Sequence, residues 1–308
     1  MEQELIQTAL RYGSDAAWLL PVFSYADWLR ERAQGLLAPQ TEYIRSDPAE
    51  DLPGANALLL LLKSYAPFTE ETVSGYYLAS QQSYEAARAL IADLKTRGIP
   101  AAMARVPLKE SAQAFGIGVM LRNGLLAVPS YGTRFALQGV LLRLETAPEP
   151  PRIPVADDPC LNCGLCEKAC PTGAVAEDGM HWQKCLRAYM ENEPMPEEVM
   201  AKLVTLLGCE RCQAACPVNR NIAARDMTAE EAYAFSYERL IAGEQREALA
   251  LIGKNQKKHG KLAAQAMCAA ANRGRQDLLP LLLSLPENEL SPIQKSSRNY
   301  ALSVLKKS

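Results

Sequence analysis

The sequence is poor in histidine, in charge of one sign and in long apolar runs. His181 and His259 are the only two histidines in 308 residues, which disfavours a histidine-built zinc or non-haem iron centre. The net charge of −2 leaves no chain-wide basic field to hold nucleic acid. The strongest apolar run, Ala57 to Leu62, is six residues long, whereas a bilayer takes about 20. The opening Met1-Glu2-Gln3-Glu4 carries neither the basic nor the apolar region of a secretory signal. A cytoplasmic protein with no membrane partner is the expectation. There is no P-loop, no G-x-S-x-G elbow and no H-E-x-x-H. Gly116-Ile117-Gly118 lacks the third glycine of a dinucleotide fingerprint. With 48% hydrophobic and 22% charged residues, the composition is that of a soluble globular protein. The length suggests about two domains and a smaller third unit.

What the sequence does have is cysteine. Eight of its nine cysteines lie between Cys160 and Cys216. In a reducing compartment, such crowding points to metal binding rather than disulfides. The first run is Cys160-x2-Cys163-x2-Cys166-x3-Cys170-Pro171, and the second is Cys209-x2-Cys212-x3-Cys216-Pro217, with Cys185 between them. The first spacing is that of bacterial-type ferredoxins. Three thiolates two residues apart can wrap a loop around one iron–sulfur cube. The fourth, three residues further on, points away to another cube. Under this rule Cys160, Cys163, Cys166 and the distant Cys216 hold one 4Fe-4S cluster. Cys170, Cys185, Cys209 and Cys212 hold the second. Zinc is the main alternative, since two four-cysteine sites would use the same count. Cys268, in a small-residue helical stretch, is left over and reads as a buried, inert thiol.

The surrounding pattern predicts an α+β chain. Its parts are an α/β first domain over 1–148, a two-cluster ferredoxin-like domain over 149–225, and a helical, repeat-like tail over 226–308. Helix is expected over 2–12 and 83–97, and strand over 16–22, 57–62, 99–106, 124–128 and 135–144. Four prolines within 147–154 mark a linker. Helices are expected over 229–240, 245–251, 261–272, 277–283 and 293–305. The tail carries twelve Lys+Arg against eight Asp+Glu over 230–308, with a basic stretch from Lys254 to Lys261 and the pair Lys306-Lys307. A solvated face explains these charges, and an RNA-phosphate contact is the sharper reading. Trp18, Trp28 and Trp182 read as core or cluster-shielding residues.

The segment from Cys160 to Asn219 resembles the epoxyqueuosine reductase family, iron–sulfur and cobalamin enzymes of tRNA queuosine synthesis. The similarity is carried by the eight cysteines, Cys170-Pro171-Thr172-Gly173-Ala174, Cys185-Leu186-Arg187, Gly208-Cys209-Glu210-Arg211-Cys212-Gln213 and Cys216-Pro217-Val218-Asn219. Upstream, Leu52-Pro53-Gly54, Tyr65, Gly116-Ile117-Gly118 and Arg122-Asn123-Gly124-Leu125-Leu126 are similar too. The resemblance implies electrons passing through two clusters to a cobalamin over the first domain, and a reductive removal of an epoxide oxygen or a related reduction. It also implies an electron donor such as ferredoxin or flavodoxin, and tRNA as a partner. Arg122, Asn123 and Gly124 are the candidate cofactor-binding turn. Where the family carries an aspartate, this chain has Ala102, and Glu110 is the only carboxylate between Asp93 and Glu145. Glu110 and Tyr84 are therefore the candidate proton donors. The alternative function is a non-catalytic ferredoxin-like carrier that docks to a partner enzyme.

Overall fold

The computed structural model describes residues 1–27, 30, 44–70, 72–151, 159–190 and 195–307, without the side chains of Lys258 and His259. Trp28 and residues 152–158 of the expected linker lie outside the described residues. The leucine run becomes β2 (Ala57–Ser64), which pairs with β1 (Ala16–Pro21) on one side and β6 (Phe135–Leu142) on the other. β3 (Ala101–Met103) completes the order β1-β2-β6-β3. Every pairing in this sheet is antiparallel, so the first unit is not assembled from parallel crossovers. Leucine has no preference for strands, but here both faces of the strand are covered. Ala57 through Leu62 are all fully buried. Ala57, Leu59 and Leu61 pack under Leu5 and Ala9 of α1 (Glu2–Arg11) and under Ala87, Leu90 and Leu94 of α2 (Gly75–Thr96). Leu58, Leu60 and Leu62 meet Tyr25, Val106, Ile117 and Leu126 on the other face. Each such leucine contributes about 1.5–3 kcal/mol of transfer free energy, which outweighs the weak strand propensity.

That second face is built from α3 (Leu108–Ala114) and the small hairpin β4 (Val119–Met120) and β5 (Leu126–Ala127). The strands expected over 99–106 and 124–128 thus shrink to three and two residues. The chain must turn at Pro107 into a helix and at Gly124 into the hairpin. The helix expected from Ser83 begins at Gly75 instead, with the Ser74 side chain accepting the Tyr76 N–H at 3.3 Å. Glycine and two tyrosines disguise its first turn, and burial of Tyr77 and Leu78 against the tail holds it.

Short elements carry the cysteines: α4 (Leu165–Lys168), the hairpin β7 (Val175–Ala176) and β8 (Gly179–Met180), α5 (Leu186–Tyr189), α6 (Glu197–Met200) and α7 (Arg211–Ala214). The tail runs through α8 (Ala229–Ala234), α9 (Tyr237–Ile241), α10 (Arg246–Ile252), α11 (Lys261–Asn272), α12 (Leu279–Ser284) and α13 (Pro292–Leu305). The single helix expected over 229–240 is two. Ser236 caps the second by accepting the Arg239 N–H at 3.3 Å, and Phe235 turns into the core. The tail is no free appendage. Phe68, Val73, Tyr77, Leu206 and Leu207 share one core with Phe235, Leu240, Leu262 and Met267. Parallel bridges Phe68–Arg225 and Val73–Leu207 run along this seam. Among the described residues no helix is long and apolar enough to cross a membrane.

Candidate iron–sulfur site

The first cysteine run curls because Asn162 (φ 50°) and Gly164 (φ 68°) take left-handed conformations on either side of Cys163. A single helical turn, α4, then carries Cys166, and Cys170 follows just past its end. Burial raises the Cys170 thiol, but the N–H groups of Thr172, Val175 and Ala174 and the Thr172 hydroxyl outweigh it and lower its pKa. The Ala174 N–H reaches Cys170 Sγ at 3.1 Å. Cys185 stands at the N-cap position of α5, where burial raises its thiol and the Arg187 and Ala188 N–H groups offset only part of the rise. Burial raises the Cys209 and Cys216 thiols, and the N–H groups of Arg211 and Val218 oppose it. Backbone donors trained on sulfur favour thiolates, the form that binds iron.

The thiols fall into two sets that cross the two runs. Cys216 is raised by burial and then by its neighbours Cys160 and Cys163, and Cys166 by burial and then by Cys216 and Cys160. One recess is lined by Cys160, Cys163, Cys166 and Cys216 together with Arg122 and Asn123. In the second set, burial and then Cys185 and Cys170 push Cys209 up to about 11. Burial followed by Cys209, Cys185, Cys170 and, last, Cys166 pushes Cys212 up to about 12. Cys212 and Cys166 are thus where the two sets adjoin. Among the described residues no three His, Cys, Asp or Glu side chains close on a single ion. Four clustered thiols, all but the exposed Cys163 partly buried, repel one another as thiolates and fit a cationic iron–sulfur core that neutralises their charge.

The second run is bolted to the sheet domain. Tyr65, just past β2, donates from Oη to Gln213 Oε1 at 3.1 Å. The Thr133 N–H donates to Asn219 Oδ1 at 2.8 Å, and Asn219 Nδ2 donates to Thr133 Oγ1 and the Gln213 carbonyl, both at 2.9 Å. Arg134 is 3% exposed and forms an ion pair with Glu210, which also accepts the Ser74 hydroxyl. Gly208 takes φ +81°, and a Cβ there would lie 2.7 Å from Ser74 Cβ and 2.8 Å from Tyr77. Gln213, Asn219 and Tyr65 belonged to the similar motifs. Ser74, Thr133 and Arg134 gave no sequence signal, because their importance comes from burial.

The nominated turn at Arg122-Asn123-Gly124 sits against the first cysteine loop. Arg122 donates to Asn162 Oδ1 at 3.1 Å and lies 3.7 Å from Glu167. Asn123 is 3% exposed. Gly124 (φ +71°) packs beneath Met180, and its carbonyl accepts Lys109 Nζ at 3.0 Å. The nominated proton donors stand elsewhere. Glu110 starts α3 and faces Tyr25, whose hydroxyl pairs with Ser111 Oγ at 2.6 Å. Burial first and the Glu110 charge push that phenol up to about 12, against the Ser111 bond. Tyr84 is exposed on α2 with the Arg88 guanidinium 5.8 Å from its ring centre. Ala102 lies in β3 opposite Leu141. Trp18 is in β1, and Trp182 in the turn before Cys185, with no partner for its indole N–H. Cys268 is fully buried in α11, its thiol pushed up to about 12 by burial.

Residues 159–219 match the family described as a 4Fe-4S double cluster binding domain. The epoxyqueuosine reductase of Bacillus subtilis (strain 168) is 32% identical over 112 residues, 35% of this chain and 28% of that protein. The matched stretch therefore spans under a third of the curated relative. The solved structure of epoxyqueuosine reductase from Streptococcus thermophilus superposes with TM-score 0.77 at 20% identity, covering 100% of this chain and 91% of that one. An epoxyqueuosine reductase solved with an epoxyqueuosine-modified tRNA stem loop gives TM-score 0.76 at 21% identity, covering 98% and 89%. The chain resembles the epoxyqueuosine reductases by sequence in its cluster segment and by fold along its length.

Proposed function

We propose that this chain is an iron–sulfur reductase of the epoxyqueuosine reductase type. It passes electrons through two 4Fe-4S clusters to a reaction at its first domain, the reductive removal of an epoxide oxygen in a tRNA base or a related reduction. Cys160, Cys163, Cys166 and Cys216 would hold one cluster, and Cys170, Cys185, Cys209 and Cys212 the other. The observation that carries the reading is the crossing of the thiol sets, with Cys166 and Cys212 at their junction. When bound, the clusters supply one-electron relays. The chain's own residues bring the relays together and fix the second run against the sheet through Tyr65, Thr133, Arg134 and Asn219.

The division of labour follows the three units: 1–148 for the reaction, 149–225 for the clusters, and 226–308 for support and tRNA. Lys254, Lys257 and the pair Lys306-Lys307 would meet RNA phosphates. A cleft beside Cys209, lined by Arg134, Arg211 and Arg220 against Glu70 and Glu210, keeps a slight basic excess that suits an acidic ferredoxin or flavodoxin. The compartment is read as cytoplasmic. The resemblance also implies cobalamin. Arg122, Asn123 and Gly124, the turn nominated for it, are committed to the first cysteine loop and fit the cluster better than a corrinoid.

Deleting the gene and measuring queuosine in tRNA tests the reading. Loss of queuosine with build-up of its epoxide precursor is expected, and unchanged tRNA would remove the assignment. The second reading is a non-catalytic carrier. It is favoured by one observation: neither Glu110 nor Tyr84 lines the thiol recess. Anaerobic reconstitution followed by added cobalamin separates the two. A base-off cobalamin spectrum, reducible through the clusters, supports the enzyme, and intact clusters that retain no corrinoid support the carrier.

A further inference from the structure

Asn123 is held in one orientation by its turn. Its Oδ1 accepts the Leu125 N–H at 3.3 Å, which leaves Nδ2 as the free end of the amide. That atom is buried and has no hydrogen-bond partner. A buried donor without an acceptor costs about 1–3 kcal/mol, so an acceptor is called for. Asn123 lines the recess walled by Cys160, Cys163, Cys166 and Cys216. Those four thiols are the sulfurs of that recess, and a cluster there would add its inorganic sulfides.

We propose that Asn123 Nδ2 donates a hydrogen bond to a sulfur of the cluster held by Cys160, Cys163, Cys166 and Cys216, and that it raises that cluster's reduction potential. This rests on the cluster reading above and deepens it. Reduction adds one electron and breaks no bond, so the sulfurs become more negative and a fixed N–H dipole favours the reduced state. In the protein at work the electron comes from a low-potential one-electron carrier, and in the assay it comes from dithionite. Asn123 is a positioning and tuning residue and moves no proton. Among the described residues Asn123 is the one asparagine whose buried amide N–H lacks a partner, so the effect falls on one cluster of the two.

The test is an EPR-monitored redox titration of the anaerobically reconstituted full chain and its Asn123→Ala variant. Both should hold eight irons. One couple should fall in the variant, with the one-electron reduction equilibrium three- to tenfold less favourable (tenfold is 59 mV), while the other stays in place. Eight irons with both couples unmoved would overturn the proposal. A second measurement needs no change at position 123. Protein with Asn162→Gly, which removes the neighbouring amide, is labelled with 15N in asparagine side chains and reduced. A hyperfine coupling from a side-chain nitrogen to the cluster is expected, and its absence overturns the proposal even if the alanine variant loses iron. Failure of the unsubstituted chain to assemble clusters would sink the underlying reading as well. Full clusters with neither shift nor coupling sink this inference alone.

Discussion

Asn219 and Thr133, 86 positions apart in sequence, exchange hydrogen bonds in both directions: Thr133 N–H to Asn219 Oδ1 at 2.8 Å, and Asn219 Nδ2 to Thr133 Oγ1 at 2.9 Å. Both side chains are buried. This exchange fixes the end of the second cysteine run to the start of β6. Asn219→Ala would leave the buried Thr133 N–H without a partner and the Gln213 carbonyl with only the Cys216 N–H, a loss of about 1–3 kcal/mol. Thermal melting of the reconstituted protein should show it, and an unchanged midpoint would mean that this anchor is dispensable. Gly132 lies close by at φ +55°, where an added Cβ would sit 2.3 Å from Asn219 Oδ1. Gly132→Ala should therefore destabilise the native chain more than it destabilises the Asn219→Ala protein.

Gly208 presses the second run onto α2. Its left-handed φ of +81° and its contacts with Ser74 and Tyr77 leave no room for a Cβ. Gly208→Ala should lower stability by more than the roughly 1–2 kcal/mol of left-handed strain alone, because Ser74 also caps α2 and bonds Glu210. Chemical denaturation reads this directly. A cost confined to the strain would show that α2 and the cysteine run can slide apart.

The sequence made the two-cluster segment legible because ligand spacing is local. Cys160 to Cys170 sets reach and direction within eleven residues. The leucine run at 57–62 was also legible as a central strand. The start of α2 was not, because Gly75-Tyr76-Tyr77 has no helical signature of its own and is held by Leu206, Phe235 and other residues far away in sequence. Ser74, Thr133 and Arg134 were invisible for the same reason. Each is an ordinary polar residue until the second cysteine run folds over it. The stretch Arg122-Asn123-Gly124 was legible as a turn, but only the fold shows that it lies against the thiols of the first loop.

The crossed ligand sets proposed above predict crossed losses. Cys216→Ala should remove the cluster that otherwise depends on Cys160, Cys163 and Cys166, although it lies in the other run. Cys170→Ala should remove the cluster of Cys185, Cys209 and Cys212 and spare that of its own run. Cys268→Ser should keep both clusters, since Cys268 packs with Met200, Leu203 and Tyr300 in α11's apolar surroundings. Iron counting combined with EPR of the remaining signal distinguishes the cases. Loss of the cluster belonging to the mutated run would reverse the assignment, and iron loss in Cys268→Ser would break the ligand count.

The seam between the sheet domain and the tail should weaken in acid. Arg225 donates to Glu231 at 2.7 and 2.6 Å, lies 4.4 Å from the Phe68 ring centre, and donates its backbone N–H to the Pro67 carbonyl at 2.9 Å. The Arg225 hydrogen bonds hold the Glu231 carboxyl below its ordinary value. Burial opposes them, and the Thr228 N–H of the capping box adds to them. A carboxyl whose folded pKa is depressed adds stability above its unfolded value, about 4.3 for glutamate, and loses it as pH falls through the folded value. Because Arg225 is half-exposed, screening limits the pair to about 1 kcal/mol. Glu231→Gln should therefore melt earlier than the unsubstituted chain at pH 7. The two curves should converge as pH drops below 4, because protonation removes from the native chain what the substitution has already removed. A difference that persists undiminished at pH 3 would mean that the substitution acts through packing at the α8 cap and that the ion pair contributes nothing to the seam.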